Sequence, residues 1–268
     1  MDHRVDRDQG LEKTLEKVQR LLGSSVETDR IQPSLPFITA EGRHHILENP
    51  EKIATLFDHT ALKPDTSPQK IEQLCEEAVR YGFFTVFVNP VYVKLASELL
   101  STLRPRVGST AGFPLGGNLT RAKAFEAECA VRDGADEIDM VMNVSALKAG
   151  DLKTVRDDIV TVRETCGPTI VLKVIIETGV LTHAEKVEAS LVVKYSGADF
   201  VKTSTGFGPP GAIPEDVSLM REVVGSKMGV KASAGIRDLP TALAMVKAGA
   251  NRIGCSSSVA IMTKALNP

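Results

Sequence analysis

Three lysines occur inside apolar runs, at positions where a strand is expected to end. Lys173 lies in IVLKVIIE, Lys202 in DFVKTSTG and Lys231 in GVKASAGIR, and successive lysines are 29 residues apart. An ammonium group buried without a partner is costly, so lysine is rare in ordinary protein cores. The equal spacing across successive strand–helix units predicts that the three amines lie on neighbouring strands at similar heights.

Such a group of amines is suited to attack on a carbonyl carbon. The attacking amine must be unprotonated, whereas the pKa of a free lysine is about 10.4. A second cation nearby disfavours the charged form and brings the pKa toward neutrality. A nucleophilic lysine beside a perturbing lysine therefore forms one mechanistic unit. The spacing does not indicate which of the three lysines has which role.

Two aspartates lie within or at the ends of other expected strands, Asp139 in ADEIDMVMN and Asp58 in TLFDHTALKPD. Either carboxylate can transfer protons as a general acid or base. An ion pair with the lysines is an equally good interpretation, and the two are compatible. Glu177 and His59 are weaker candidates, because residues in such positions are more often structural.

Three late segments are rich in glycine and hydroxyl side chains: TSTGFG (203–208), SAGIR (233–237) and GCSSS (254–258). The last segment leads directly into the helical pattern VAIMTKAL, and the N–H groups at a helix N-terminus favour an anion. Barrel enzymes often bind phosphate with the loops that follow strands 7 and 8. These segments therefore predict a phosphate site.

The elements that would position these residues alternate along the chain. Four helical patterns end at a glycine and are followed by a short apolar run; the glycines are Gly82, Gly134, Gly197 and Gly249, separated by 52, 63 and 52 residues. Each step has room for two strand–helix units. Eight strands are predicted in this frame: Ala54–His59, Thr85–Asn89, Val107–Phe113, Glu137–Asn143, Ile170–Glu177, Phe200–Ser204, Val230–Ala234 and Arg252–Cys255.

Eight strands, each followed by a helix, predict a (β/α)₈ TIM barrel with an N-terminal helical extension. A doubly wound open sheet is the structural alternative, but it would normally have fewer strands. Ser67 with Pro68, and Thr182 with Glu185, are predicted to begin two of the helices.

The first 50 residues lie outside the barrel pattern. Leu11, Leu15, Val18 and Leu22 indicate an amphipathic helix, and the following GSSVETDRIQPSLPFITAEG reads as a linker. The helix is expected to pack on the outside or bottom of the barrel; contact with another subunit is the alternative. We predict an N-terminal extension, residues 1–50, and a catalytic barrel, residues 51–268.

Composition excludes several other classes. The net charge is −2 and charged residues make up 25% of the 268 residues, without a basic stripe, so nucleic acids and anionic membranes are poor partners. The four cysteines are far apart, and no CxxC pair or histidine cluster suggests a metal. No apolar run is long enough to span a membrane, and the N-terminus is charged. We expect a cytoplasmic protein without a metal.

The motifs FDHTALKPD, FVNP, GFPLG, DEIDMVMN, LKVIIETG, FVKTSTGFG, VKASAGIR and IGCSSS resemble, in this order, those of the deoxyribose-phosphate aldolase family. The resemblance covers residues 53–260, essentially the whole predicted barrel. It implies reversible cleavage of 2-deoxy-D-ribose 5-phosphate to acetaldehyde and D-glyceraldehyde 3-phosphate, in deoxyribose phosphate catabolism. It also implies no cofactor, a small phosphorylated sugar as the substrate, and a homodimer or homotetramer.

The resemblance also implies roles. Lys202 in KTSTG would form the Schiff base, and Lys231 would perturb its pKa. Asp139 would relay protons with a water, Asp58 would support this network, and Lys173 would give electrostatic support. The residues implied for the phosphate site are Thr205, Gly206, Gly235, Ile236, Arg237, Gly254, Ser256 and Ser257.

One position departs from the family pattern. The turn after strand 7 usually has two consecutive glycines, and Ala234 stands in place of the first. The added methyl group is expected to shift or weaken phosphate binding without affecting the lysines.

Three rival functions remain open on the sequence alone. One is a Schiff-base aldolase for a ketose phosphate, which would need a single lysine. Another is a sugar-phosphate isomerase with paired carboxylates. The third is a barrel used only as a scaffold, which would gain nothing from buried amines.

Overall fold

The computed structural model describes residues 14–20 and 38–267. Within these residues, eight parallel strands pair in sequence order and form a closed barrel. The predicted (β/α)₈ barrel is confirmed. The strands are β1 (Phe57–Ala61), β2 (Thr85–Val88), β3 (Arg106–Ala111), β4 (Glu137–Val141), β5 (Val171–Ile175), β6 (Phe200–Lys202), β7 (Gly229–Ser233) and β8 (Arg252–Cys255).

The strands are connected by helices that cover the outer face of the barrel. The helices are α1 (14–20), α2 (Ala40–Glu48), α3 (Pro68–Tyr81), α4 (Val93–Leu100), α5 (Thr120–Arg132), α6 (Val144–Lys148), α7 (Leu152–Cys166), α8 (His183–Tyr195), α9 (Pro214–Val224), α10 (Leu239–Ala248) and α11 (Ser258–Leu266). Short 3₁₀ helices cover Pro50–Leu56, Pro90–Tyr92 and Thr178–Val180.

The predicted bounds of the first strand are wrong. The strand was predicted from Ala54 but begins at Phe57, because Ala54–Leu56 belong to the 3₁₀ helix that starts at Pro50. Proline favours the first turn of a helix, since its φ is already helical and its missing N–H would have no partner there. Several other strands stop earlier than predicted; β6 ends at Lys202 itself.

The predicted helix ends are confirmed. The Ser67 hydroxyl accepts a hydrogen bond from the backbone N–H of Lys70, with Pro68 in the first turn of α3. Thr182 and Glu185 form a reciprocal capping box at the start of α8. The four repeated glycines all have positive φ, the backbone conformation that ends a helix most easily when no Cβ is present.

The N-terminal segment packs against the barrel. The Val18 side chain of α1 is fully buried in the main apolar core, and Lys17 forms an ion pair with Glu188 of α8. The predicted linker is wrong at its end, because α2 begins at Ala40. Leu11, Leu22 and linker residues 23–37 lie outside the described residues. None of the described helices has the length and apolar character needed to cross a bilayer.

Candidate active site

The barrel interior is built in layers of side chains from alternate strands. In the strand pairing, Lys202 of β6 lies opposite Lys231 of β7, whereas Lys173 of β5 lies opposite Phe200. In a barrel of this kind, the shear is about 8. The residue at the same height on the next strand therefore lies about one position beyond the residue with which it is paired. Lys173 and Lys231 therefore share one layer, and Lys202 belongs to the next layer toward the C-terminal ends of the strands.

The lysines do lie on three neighbouring strands, as predicted. They occupy two layers rather than one, which corrects the expectation of similar heights. Their side chains also differ in access: Lys202 is 5% exposed, Lys231 is 1% exposed and Lys173 is fully buried. Lys202 thus has the amine nearest to the open end of the barrel, where barrel enzymes place their chemistry.

Asp139 connects the three lysines. Its Oδ2 accepts hydrogen bonds from Lys202 Nζ at 2.8 Å and from Lys231 Nζ at 2.7 Å, and its Oδ1 accepts one from Lys173 Nζ at 3.0 Å. Asp58 lies on the other side of Lys231, with Oδ2 2.5 Å from Lys231 Nζ. All five residues singled out for chemistry are therefore within one buried cluster.

This cluster changes the proton affinity of its members. Burial, opposed by the nearby carboxylates, lowers the pKa of Lys231 to about 8. Burial also disfavours ionised Asp139, but the ammonium groups of Lys173, Lys202 and Lys231 together hold its pKa well below the usual value. For Lys173 the carboxylates outweigh burial, and its pKa is raised. Lys173 is therefore a fixed cation, whereas Lys231 can exchange a proton near neutral pH.

Two further charged residues lie beneath the lysines, and neither was predicted from the sequence. Glu137 and Arg252 are fully buried, and Arg252 Nη2 donates to both carboxylate oxygens of Glu137 at 2.5 and 2.7 Å. Glu137 is two positions before Asp139, and side chains two apart on a strand share a face. That period-two signal places Glu137 in the barrel interior below Asp139.

Small and aromatic residues shape the space around the amines. The Phe87 ring lies 3.8 Å from Lys231 Nζ and 4.4 Å from Lys173 Nζ, measured to the ring centroid. A Cβ on Gly108 would lie 2.3 Å from this ring, and one on Gly254 would lie 2.9 Å from Lys231 Cε. Both positions therefore require glycine, because any side chain there would displace Phe87 or Lys231.

The loop after β6 is held by Glu177. Its carboxylate accepts hydrogen bonds from the backbone N–H of Thr205, at 3.3 Å, and from the Thr205 hydroxyl. Glu177 has a left-handed backbone, with φ of 55°, which is uncommon for a residue other than glycine. The Thr205 side chain, singled out for phosphate, thus has a carboxylate as its partner in this structure.

Gly254, also singled out for phosphate, lies within β8, and the remaining residues of that set lie on the loops after β6, β7 and β8. The β6 and β7 loops touch: the backbone N–H of Ala212 donates to the carbonyl oxygens of Ser233 and Ala234. Ile236 is buried, whereas Gly235, Arg237 and Ser256 are exposed. The Ser257 side chain, at the N-cap of α11, makes no capping hydrogen bond.

His59 is not part of the amine cluster. Its Nε2 lies 2.8 Å from Glu77 Oε2 of α3, and its ring lies against Phe83. Burial lowers the pKa of His59, so a neutral imidazole is favoured. His59 links β1 to the helix outside it.

Comparison with known proteins agrees with this geometry. Residues 52–264 match the model of the DeoC/LacD family aldolase. The chain is 54% identical over 220 residues to the deoxyribose-phosphate aldolase of Thermococcus gammatolerans, covering 80% of this chain and 97% of that protein. It is 52% identical over 208 residues to the enzyme of the same name from Brevibacillus brevis, covering 78% and 94%.

A solved structure gives the same result. The tetrameric deoxyribose phosphate aldolase of Aeropyrum pernix superposes with a TM-score of 0.78 at 32% identity, covering 88% of this chain and 99% of that one. The closed barrel is that of a (β/α)₈-barrel enzyme, with three lysines in its interior. The chain belongs to the DeoC/LacD family of aldolases.

Proposed function

We propose that this protein is a class I aldolase that reversibly cleaves 2-deoxy-D-ribose 5-phosphate to acetaldehyde and D-glyceraldehyde 3-phosphate. The observation that supports this most directly is the position of Lys202, whose amine is the most exposed of three clustered lysines and lies 2.8 Å from Asp139. The names of the similar proteins support the same substrate.

The reaction begins when the unprotonated amine of Lys202 attacks C1 of the open-chain sugar. The adduct loses water as Asp139 transfers protons, and an iminium ion forms. The C3 hydroxyl then loses its proton, the C2–C3 bond breaks and its electron pair moves into the iminium to form an enamine, and C3–C5 leave as the phosphorylated triose. Protonation of the resulting enamine and hydrolysis of the Schiff base release acetaldehyde and regenerate Lys202.

The surrounding charges have separate parts in this proposal. Lys231 touches the same carboxylate oxygen as Lys202, so it disfavours a second ammonium there. Asp58 keeps Lys231 in place, and Lys173 holds the other oxygen of Asp139. A ketose-phosphate aldolase would not need Lys231, and an isomerase would use the lysines only to hold phosphate. Here all three lysines instead contact Asp139 inside the barrel.

The phosphate group is proposed to bind at the loops after β6, β7 and β8. Gly206 and Gly235 have positive φ, and their loops adjoin, so their backbone N–H groups can face a common anion. Helix α11 begins directly after Ser257, so its N-terminal N–H groups adjoin the loop after β8. We propose that Thr205, whose hydroxyl donates a hydrogen bond to Glu177 in this structure, also contributes to phosphate binding.

The assembly and location are also proposals. We propose a homodimer or homotetramer, supported by the tetrameric structure of the similar Aeropyrum pernix enzyme, and a cytoplasmic location. Sedimentation of the purified chain distinguishes the monomer, dimer and tetramer directly.

Trapping with borohydride tests the reaction. Incubation with acetaldehyde and borohydride should reduce the Schiff base and leave a stable ethyl group on Lys202, located by mass spectrometry of peptides. The adduct should vanish in Lys202→Leu and persist in Lys94→Leu, which changes an exposed lysine. A folded wild-type protein with no adduct at any lysine would contradict the proposal.

A further inference from the structure

The charged residues beneath the amines form a continuous network with them. Arg252 Nη1 donates to Asp58 Oδ1 at 3.0 Å, while its Nη2 is bound by Glu137. Glu137 Oε2 also accepts a hydrogen bond from Lys173 Nζ at 2.5 Å. Arg252 and Glu137 lie one layer below Lys173 and Lys231, so they reach the upper amine, Lys202, only through other side chains.

The charges in this network do not balance. Among the described residues, the barrel interior holds four cationic side chains and three carboxylates, which would leave one net positive charge if all were ionised. These are Lys173, Lys202, Lys231 and Arg252 against Asp58, Glu137 and Asp139.

The remaining strands add little charge to the interior. β2 contributes the uncharged Thr85 and Phe87. Arg106 of β3 is 3.9 Å from Glu137, but it is 40% exposed, and solvent therefore screens its charge. The excess of one positive charge is thus a property of the buried groups.

An uncompensated positive charge in a buried site is unfavourable, so one group of the network is expected to lose a proton. The Arg252 guanidinium remains charged at any working pH. Burial disfavours ionised Asp58, but Arg252 and the lysines together lower its pKa, so it stays a carboxylate. The excess charge is therefore released by a lysine. Burial lowers the pKa of Lys231, and Lys231 and Lys202 share one oxygen of Asp139, so the single proton lost from this pair can leave Lys202 as the neutral amine.

We propose that Arg252 and Glu137 are positioning residues that set the pH at which the lysine cluster releases a proton and Lys202 becomes able to attack a carbonyl. Arg252 engages Asp58 and Glu137, so less negative charge is left to stabilise the ammonium groups. Glu137 acts in the opposite sense, since it stabilises the ammonium of Lys173. The proposal rests on the Schiff-base function of Lys202.

The two residues should shift the pH dependence in opposite directions. The measurement is the rate of borohydride-trapped acetaldehyde adduct at Lys202 as a function of pH. Arg252→Gln removes a cation, so the pH at which the rate of adduct formation is half-maximal, its midpoint, should rise by about 1 pH unit. Glu137→Gln removes an anion, so the midpoint should fall by about 1 pH unit. The double variant keeps the original net charge and should return to the wild-type midpoint.

A charge-conserving variant serves as the control. Glu137→Asp disturbs the same hydrogen bonds without changing the charge, so its midpoint should match the wild type even if its rate falls. Equal midpoints in folded charge-changing variants would overturn the inference, as would shifts in the same direction. Circular dichroism verifies folding, and either folded single variant decides the matter by the direction of its own shift.

The wild-type protein gives a second test that needs no variant. A midpoint set by buried charges should move by less than about 0.2 pH units between about 0.05 M and about 0.5 M salt, because salt screens buried charges weakly. A larger shift would assign the control to surface charges and overturn the inference. An absence of any Lys202 adduct would instead contradict the proposed function, so the two failures are distinguishable.

Discussion

Lys202 and Lys231 both donate to the same oxygen of Asp139, which makes the effect of one amine on the other testable. Lys231→Met removes the neighbouring cation while keeping a long, unbranched side chain. The loss of this cation makes an ammonium on Lys202 more favourable, so the midpoint of adduct formation should rise by about 1 pH unit. The measurement is borohydride trapping across a pH series.

The exposed Lys247 provides the control for this substitution. Lys247→Met should leave the pH dependence unchanged. If the midpoint of Lys231→Met also equals that of the wild type, Lys231 does not perturb the nucleophile.

Ala234 has a left-handed backbone, with φ of 69°. A residue with a Cβ pays about 1 kcal/mol or more for this conformation, whereas glycine adopts it freely but gives the unfolded chain more entropy. We expect Ala234→Gly to raise the free energy of unfolding by about 0.5 kcal/mol, measured by urea denaturation. If phosphate binds at this turn, the KM for the phosphorylated sugar should also fall.

Gly235, the next residue in this turn, allows the reverse experiment, in which a Cβ is added instead of removed. Gly235 also has positive φ, and a Cβ there would meet only Gly211 at 3.7 Å. Gly235→Ala should therefore destabilise the protein by about 1 kcal/mol through backbone strain alone. A stability loss in Ala234→Gly would show instead that the methyl group is favourably packed.

The clustered lysines and aspartates could be picked out from the sequence, whereas the buried charges beneath them could not. Lysines within apolar runs are conspicuous, because an unpaired buried amine is costly. Glu137 and Arg252 were missed because each begins its strand and looks like an exposed residue there. Their burial depends on partners that lie 115 positions apart in the chain, and no local pattern gives that pairing.

At the scale of elements, the glycines and capping residues predicted the helix ends correctly, whereas the predicted bounds of the first strand were wrong. Capping depends on a few adjacent residues, so Ser67 and Thr182 are readable from the sequence. Ala54 and Leu56 are apolar and buried and the intervening Thr55 is exposed, an alternation typical of a strand, and so short a pattern does not exclude a 3₁₀ helix. The proline at position 50 was the overlooked signal.

The heights of the three lysines show a second limit of sequence patterns. Equal separations of 29 residues were consistent with one layer, but the strand pairing sets Lys173 opposite Phe200. Register is fixed by loop geometry and by how the interior is filled, and neither is contained in the spacing. Access to the open end, which favours Lys202 as the nucleophile, therefore became visible only in the barrel.

At the scale of the whole molecule, the described part of the N-terminal segment contacts the barrel at several places. Val18 of α1 enters the main apolar core, and the Ile38 carbonyl accepts a hydrogen bond from the Asn251 side chain, immediately before β8. The division into an extension of residues 1–50 and a barrel of residues 51–268 stays a prediction. The contribution of α1 to the free energy of unfolding can be measured.

Val18→Ala removes a fully buried side chain from α1 without touching any residue of the amine cluster. We expect the free energy of unfolding to fall by about 1–2 kcal/mol, because buried methyl groups are lost, while kcat is unchanged. Gln19→Ala, on the exposed side of the same helix, should leave stability unchanged. If Val18→Ala instead reduced the sedimenting mass without lowering the stability of the single chain, α1 would be a contact between subunits. A helix that packs only on its own barrel cannot change assembly while leaving the fold intact.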